Sequence, residues 1–188
     1  MPRARALEGP MFLNDTEAAT LEAVVDRIIP ADESAGASQA GVVVYIDRLL
    51  AGFRQDLQVA YRIGLRELDG LCAEQFGAGF GELEETQRDE VLRTLLGSEI
   101  PAASGVATGP DDLRRLAALI REHTIEGFFC DPIYGGNRDT AGWRLIGFPG
   151  AHWGYAAEQM TLGYDAGDVP VQTITELRAA VTDPIAST

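Results

Sequence analysis

Apolar residues recur every three or four positions in five stretches of this chain, which is the spacing of helices with one buried face. The first stretch comprises Leu21, Val24, Val25 and Ile28. Just before it, Asn14 and Glu17 have the spacing of a capping box, which marks the N-terminus of a helix. Pro30 cannot continue a helix. We therefore predict a first helix that begins after Asn14 and ends before Pro30, followed by a loop over residues 30–40.

The second stretch, from Gly41 to about Ala51, is compatible with two structures. The run Val42–Val44 has high strand propensity. The apolar positions that follow nevertheless keep helical spacing through Ile46, Leu49, Leu50 and Phe53. We predict a helix here, with a short strand at Val42–Val44 as the alternative.

Three further helices are predicted between residues 55 and 129. The longest covers about residues 55–76 and ends at the following glycine, since glycine is favoured just after a helix. The next covers about residues 85–96. Another begins near Asp111, a good N-cap residue, and ends around Phe129. Its apolar face comprises Leu113, Leu116, Ile120 and, by spacing, Ile125. The intervening residues 97–110 contain three glycines and two prolines and are predicted to form a loop.

The helical pattern stops after Phe129. Residues 131–155 are rich in glycine but also aromatic, unlike polar linkers. Such long ordered segments tend to be functional. The sequence therefore predicts a mainly α protein, with an irregular helical domain of about five helices over residues 12–155. This domain includes a long, ordered, Gly-rich aromatic arm at 131–155. Residues 156–188 are predicted to be a C-terminal tail with one weak helix.

Charge and hydropathy narrow the set of partners. The 188-residue chain has a formal net charge of −14, so its surface should repel nucleic-acid phosphates and anionic lipids. It contains no apolar run as long as a membrane span. The first residues carry Arg3 and Arg5, which are not adjacent, and no apolar signal stretch follows. We expect a cytoplasmic location, or a periplasmic one if a signal was removed or a partner carries the chain out.

The sequence contains none of the common motifs of catalysis or cofactor binding. It lacks GxSxG, a Walker loop, GxGxxG and CxxCH. His123, beside Glu122 and Glu126, does not have the spacing of a metal site. Cys72 and Cys130 are either two buried thiols or, in an exported protein, one disulfide. We expect no catalytic residue, cofactor or metal in this chain.

The arm carries the most specific motif. Its glycines permit tight turns and close backbone approach, and its aromatic side chains suit a rigid interface anchor. The sequence FCDPIYGGNRD at 129–139, followed by GWRLIGFPG at 142–150, resembles the signature of the gluconate 2-dehydrogenase subunit 3 family. The sequence IIPADE at 28–33, with Gly41 and YID at 45–47, is similar to the N-terminal motif of that family. The resemblance covers roughly residues 12–155.

This resemblance implies a role as the small subunit of a membrane-associated dehydrogenase for gluconate, glucose or related sugars. The implied large partner is an FAD-containing flavoprotein of the glucose–methanol–choline (GMC) oxidoreductase type, often joined by a cytochrome c subunit. The small subunits have no known catalytic residues and are thought to help the partner fold or leave the cell, often through a twin-arginine signal. Because no such signal is visible here, a cytoplasmic flavoprotein partner is also compatible with the sequence.

We predict that the arm binds this partner. The predicted partner-binding residues are Asp131, Pro132, Tyr134, Gly135, Gly136, Asn137, Trp143, Arg144, Phe148 and Pro149. The alternative is structural. Under that alternative, Tyr134, Trp143 and Phe148 complete the core of this chain, and Asp131 caps its own turn. The three charged residues of the arm would then simply be solvated at the surface; they are Arg138, Asp139 and Arg144.

Two other functions remain open at the level of sequence. A stand-alone enzyme would use acid–base groups in the arm, namely Asp131, Tyr134, Asn137 and His152. A helical sugar-binding module would stack sugars on aromatic rings, namely Trp143, Trp153 and Tyr155.

Overall fold

A computed structural model describes residues 10–97 and 110–182, and it shows a mainly α fold. The α-helices in these two ranges are α1 (Asp15–Ile28), α2 (Val42–Ala51), α3 (Gln58–Phe76), α4 (Glu85–Leu96), α5 (Pro110–Phe129), α6 (Ala141–Leu145) and α7 (Ile174–Thr182). The predicted fold class is therefore confirmed. Expectations about the N-terminal arginines and about most of the loop at 97–110 fall outside the described residues. No helix within the described ranges is long and apolar enough to cross a membrane.

The helix boundaries follow the local signals of the sequence. The capping box forms as predicted, because Asn14 Oδ1 accepts a hydrogen bond of 2.9 Å from Glu17 N, and the Glu17 carboxylate accepts one from Asn14 N. The run Val42–Val44 is helical. Helix α2 ends at Ala51, so Phe53 lies beyond it with 91% of its surface exposed. The expectation that Phe53 continues the buried face of α2 is therefore wrong.

Helix α5 lies at the centre of the packing and contacts α1, α2, α3 and α4. Its buried face includes Leu113, Leu116 and Ile120, as the spacing predicted. Ile125 was included in that face by spacing alone, and this was wrong because its side chain is 49% exposed. The buried face continues through Thr124 and Phe128, and Ile125 lies beside it.

Polar side chains connect the helices around the core. Arg27 of α1 makes a two-point contact with the Asp89 carboxylate of α4, at 2.7 and 3.0 Å. In the interior, the Tyr61 hydroxyl oxygen of α3 lies 2.7 Å from His123 Nδ1 of α5. Both residues are almost fully buried, so this pair links α3 and α5 where burial penalises an unpaired polar group.

The segment after α5 contains short helices rather than only irregular backbone. A 3-10 turn spans Pro132–Tyr134, a second spans Arg138–Thr140, and α6 follows directly. We expected this segment to be too irregular for a helix, and α6 corrects that view. The predicted tail helix exists as α7. The tail folds back on the arm, where Gly150 and Gln172 form an isolated parallel bridge.

Candidate partner-binding site

The signature segment caps the C-terminal end of α5. The last carbonyl groups of a helix have no partner within it and need donors from elsewhere. The carbonyl oxygen of Phe129 accepts a 2.7 Å hydrogen bond from Trp143 Nε1, and that of Cys130 accepts a 2.8 Å bond from Asn137 Nδ2. The Cys130 thiol reaches back to the carbonyl of Gly127 at 3.4 Å. Much of the signature therefore serves to end α5 and to fix the chain that follows.

Asn137 connects two ends of this cap. Its fully buried side chain donates to Cys130 and also accepts a 2.8 Å hydrogen bond from Gly142 N. Its backbone is left-handed, with φ 45°, a conformation that asparagine tolerates better than most residues. A side chain at Gly142 would overlap the carbonyl oxygen of Phe128. The aromatic segment therefore packs directly on the backbone of α5.

The backbone just after Asn137 is strained. Asp139 and Thr140 both have left-handed angles, with φ 56° and 55°. Such angles cost on the order of 1–3 kcal/mol for a non-glycine residue and persist only where surrounding contacts impose them. Here the amide of Arg138 donates to Ala40 at 2.9 Å, and the amide of Thr140 donates to Asn137 at 2.9 Å. These bonds hold the turn against the N-terminal end of α2.

Asp131 fastens both the turn and the tail. One carboxylate oxygen accepts a 3.0 Å hydrogen bond from Ile133 N, as the alternative of a turn-capping role predicted. The other accepts a 2.8 Å bond from Ile174 N at the start of α7. Asp131 is buried. Its side chain is therefore committed to backbone contacts within this chain.

The ten predicted partner-binding residues divide by exposure. The side chains or backbone of Asp131, Gly136, Asn137 and Trp143 are buried within the chain. Pro132, Gly135 and Pro149 are half-buried. The surface holds Tyr134, Arg144 and Phe148. The buried group positions the arm, and the exposed group is available to another molecule. That any of the ten contacts a partner stays a prediction.

Trp143 is buried and contacts one of the exposed residues, Phe148. It is only 5% exposed, which fits the alternative that it completes the core of this chain. Phe148 packs edge-on against it, with ring centroids 5.3 Å apart, yet keeps 42% of its own surface exposed.

An apolar groove opens beside the signature turn, between α2 and the C-terminal half of α5. We call it the α2–α5 groove; its volume is about 640 Å³. Its apolar walls are formed by Tyr45, Leu49, Phe53, Ile125, Phe129 and Tyr134. Several of these side chains are strongly exposed, with Ile125 at 49% and Tyr134 at 52%. This is an apolar surface that the described residues leave uncovered.

The ionisable groups of the groove are not arranged as nucleophiles. The Tyr45 hydroxyl donates a 3.0 Å hydrogen bond to the Glu126 carboxylate. Burial, together with that carboxylate, raises the pKa of Tyr45. Burial also raises the pKa of the Cys130 thiol to about 11. Both groups are therefore neutral near pH 7, whereas a reactive cysteine needs a lowered pKa.

Three of the four candidate acid–base groups of the arm contact backbone groups of this chain. Asp131 and Asn137 are both occupied by backbone groups, and His152 Nε2 lies 3.0 Å from the carbonyl of Pro149. Of the aromatic rings considered for sugar stacking, Trp143 is buried while Trp153 is 77% exposed. Among the described residues, no group of three or more histidine, cysteine or carboxylate side chains could hold a metal ion.

Two relevant residues escaped the sequence reasoning. Asp47 was noted only as part of a motif, yet its buried carboxylate accepts hydrogen bonds from the amides of Phe12 and Leu13, at 2.9 and 2.8 Å, and from that of Met11. Phe53 was assigned to the core. The glycine at position 52 was the available signal, because glycine often ends a helix.

The comparisons with known proteins agree with the motif. The family model for gluconate 2-dehydrogenase subunit 3 matches residues 15–150, which include the helical core and the whole signature segment. No curated protein and no solved structure is significantly similar to the chain. Since the match spans most of the chain, this protein belongs to the gluconate 2-dehydrogenase subunit 3 family.

Proposed function

We propose that this chain is a non-catalytic small subunit that binds and stabilises an FAD-dependent, GMC-type sugar or sugar-acid dehydrogenase. The family assignment makes it a subunit of a dehydrogenase complex. In this proposal the FAD and the catalytic residues belong to the large subunit, and the present chain holds no cofactor. A cytochrome c subunit would be a third component.

One observation carries the proposal: the signature segment is rigidly built but displays apolar side chains to solvent. Most of the large apolar side chains that the described residues expose lie between positions 131 and 164. They are Ile133, Tyr134, Leu145, Ile146, Phe148, Trp153, Tyr155, Met160, Leu162 and Tyr164. Exposed apolar side chains concentrated in this way are typical of a protein–protein interface.

The rigidity of the cap supports the same conclusion. Trp143, Asn137 and Asp131 use their side chains to fix backbone, so the exposed residues between them keep their positions before binding. A pre-ordered surface loses less conformational entropy on association than a mobile one. In this proposal, the buried residues of the signature hold its exposed apolar side chains in position for the partner.

Coexpression tests the proposal. The chain carries a purification tag and is coexpressed with the GMC-type flavoprotein from the same genome. We expect a yellow complex of defined stoichiometry, and a flavoprotein that loses FAD at lower temperature when this chain is omitted. The small subunit alone should be colourless. Recovery of the flavoprotein without this chain, with equal FAD retention and no association on mixing, would overturn the proposal.

A further inference from the structure

Phe53 is the most exposed aromatic side chain of the α2–α5 groove. It lies just beyond the end of α2 and has 91% of its surface in contact with solvent. Ile125, Phe129 and Tyr134 form the facing side of the groove. Phe53 therefore contributes little to the packing of this chain but adds a large apolar wall to the groove.

The rim of the groove beside Phe53 is acidic. Glu122 and Glu126 are both exposed and lie one turn apart on the same face of α5, on either side of Ile125. Asp56 is also exposed and forms a 3.1 Å ion pair with Arg54. Guanidinium groups accompany these three carboxylates, namely that of Arg54 and that of Arg48, which lines the groove itself. An apolar ligand with a neighbouring positive charge would match this rim.

The charge of the whole chain limits what can cover the groove. A second copy would bring together two molecules that each carry a formal net charge of −14, at a rim that is itself acidic. An anionic membrane surface would be repelled for the same reason. A basic segment of a protein partner experiences attraction instead.

We propose that the α2–α5 groove binds an apolar side chain of the dehydrogenase large subunit that has an arginine or lysine beside it. The apolar side chain lies between Phe53 and Ile125, and the neighbouring cation faces Glu122. This inference rests on the proposed function and specifies its contact surface. It extends the interface from signature residues such as Tyr134 to α2 and α5.

The experiment measures the affinity of tagged variants for the purified FAD-loaded large subunit by surface plasmon resonance, at low and high salt. Phe53→Ser removes the apolar wall, and its exposed position should leave folding intact. Glu122→Arg reverses one rim charge. The matched controls are Val59→Ser and Glu90→Arg, which change exposed residues of the same kinds on α3 and α4. Circular dichroism and thermal unfolding verify that every variant is folded.

We expect Phe53→Ser to weaken binding by about tenfold or more, as for a central interface residue. Glu122→Arg should weaken binding several-fold at low salt and much less at high salt, since salt screens the interaction. Both controls should bind like the unmodified chain. Normal binding by Phe53→Ser and Glu122→Arg would overturn the groove assignment while leaving the accessory role intact.

Three other outcomes would also overturn it. Absence of any complex with the unmodified chain refutes the proposed function and the groove together. A dimer of this chain that Phe53→Ser converts to a monomer, detected by light scattering, means that a second copy covers the groove. Binding to phosphatidylglycerol vesicles that Phe53→Ser abolishes means that a lipid surface does so.

Discussion

Trp143 Nε1 donates a 2.7 Å hydrogen bond to the carbonyl oxygen of Phe129, at the C-terminal end of α5. The same indole ring is buried and packs edge-on against Phe148. The Trp143 side chain thus supplies a donor to a carbonyl group at the end of α5 and also fills the space between α5 and the segment that follows. The aromatic character of the signature is explained in part by this capping role.

The role of Trp143 predicts graded losses of stability. Trp143→Phe keeps a ring but leaves the Phe129 carbonyl without its donor, so the free energy of unfolding should fall by about 1–3 kcal/mol. Trp143→Ala also opens a cavity and should cost about 3–5 kcal/mol. Urea denaturation followed by circular dichroism measures both. The control Trp153→Phe changes an exposed ring and should stay within about 0.5 kcal/mol. Equal stability of Trp143→Ala and the unmodified chain would contradict the structural role.

Asn137 offers a test of the cap through its amide group. Asn137→Asp preserves size but replaces the donor to Cys130 with an oxygen, so two oxygens would face each other in a buried site. We expect a loss of about 2 kcal/mol or more in the free energy of unfolding.

Asp139→Gly provides the matched control for Asn137→Asp. Position 139 has φ 56° and is exposed, and glycine adopts that angle without a steric penalty. This variant should not be destabilised. If Asn137→Asp proves as stable as Asp139→Gly, the amide contacts do not hold the signature segment.

The helices were predictable because their signals are local. The capping box at Asn14 and the periodic stripe through Leu21 and Val25 depend on residues within a few turns of each other, and both are present in the structure. The errors concern two apolar residues that the fold leaves outside the core. At Phe53 the spacing persists although the helix has ended. Ile125 lies off the buried face of α5, which continues through Thr124 and Phe128.

The signature segment was harder to interpret because its contacts are long-range. Sequence indicated that Asp131 could cap its own turn, and it does. It could not indicate that the same carboxylate also binds Ile174, 43 residues away. In the same way, composition shows that Trp143 and Phe148 are both apolar, but only the fold makes one buried and leaves the other partly exposed.

Asp47 predicts a further stability effect, at the N-terminal end of the described chain. Its carboxylate accepts hydrogen bonds from the amides of Phe12 and Leu13 in a buried position. Asp47→Ala leaves these donors without an acceptor, so we expect a loss of about 2–4 kcal/mol in the free energy of unfolding. Hydrogen exchange at the Leu13 amide should accelerate. Asp56→Ala, at an exposed ion pair, should change stability by less than about 1 kcal/mol. Slow exchange at Leu13 in Asp47→Ala would refute the contact.

The last prediction concerns pH and the buried histidine of α5, His123. Burial lowers the pKa of His123 below its ordinary value of 6.5, and this effect outweighs the opposing influence of the Glu126 and Glu122 carboxylates. The neutral imidazole is therefore favoured in the folded state, where Nδ1 lies 2.7 Å from the Tyr61 hydroxyl oxygen. The unfolded chain binds the proton more tightly than the folded chain does.

The sign of the effect follows from this difference in proton binding. The contribution of His123 to the free energy of unfolding is fully present above pH 6.5. It is lost as pH falls from 6.5 through the lower pKa of His123 in the folded state, and it does not change further below that pKa. Free energies of unfolding from urea titrations between pH 8 and pH 5 should therefore decline below pH 6.5. His123→Gln should decline less steeply, because its side chain does not titrate. Parallel curves for His123→Gln and the unmodified chain would show that the buried imidazole does not control this pH dependence.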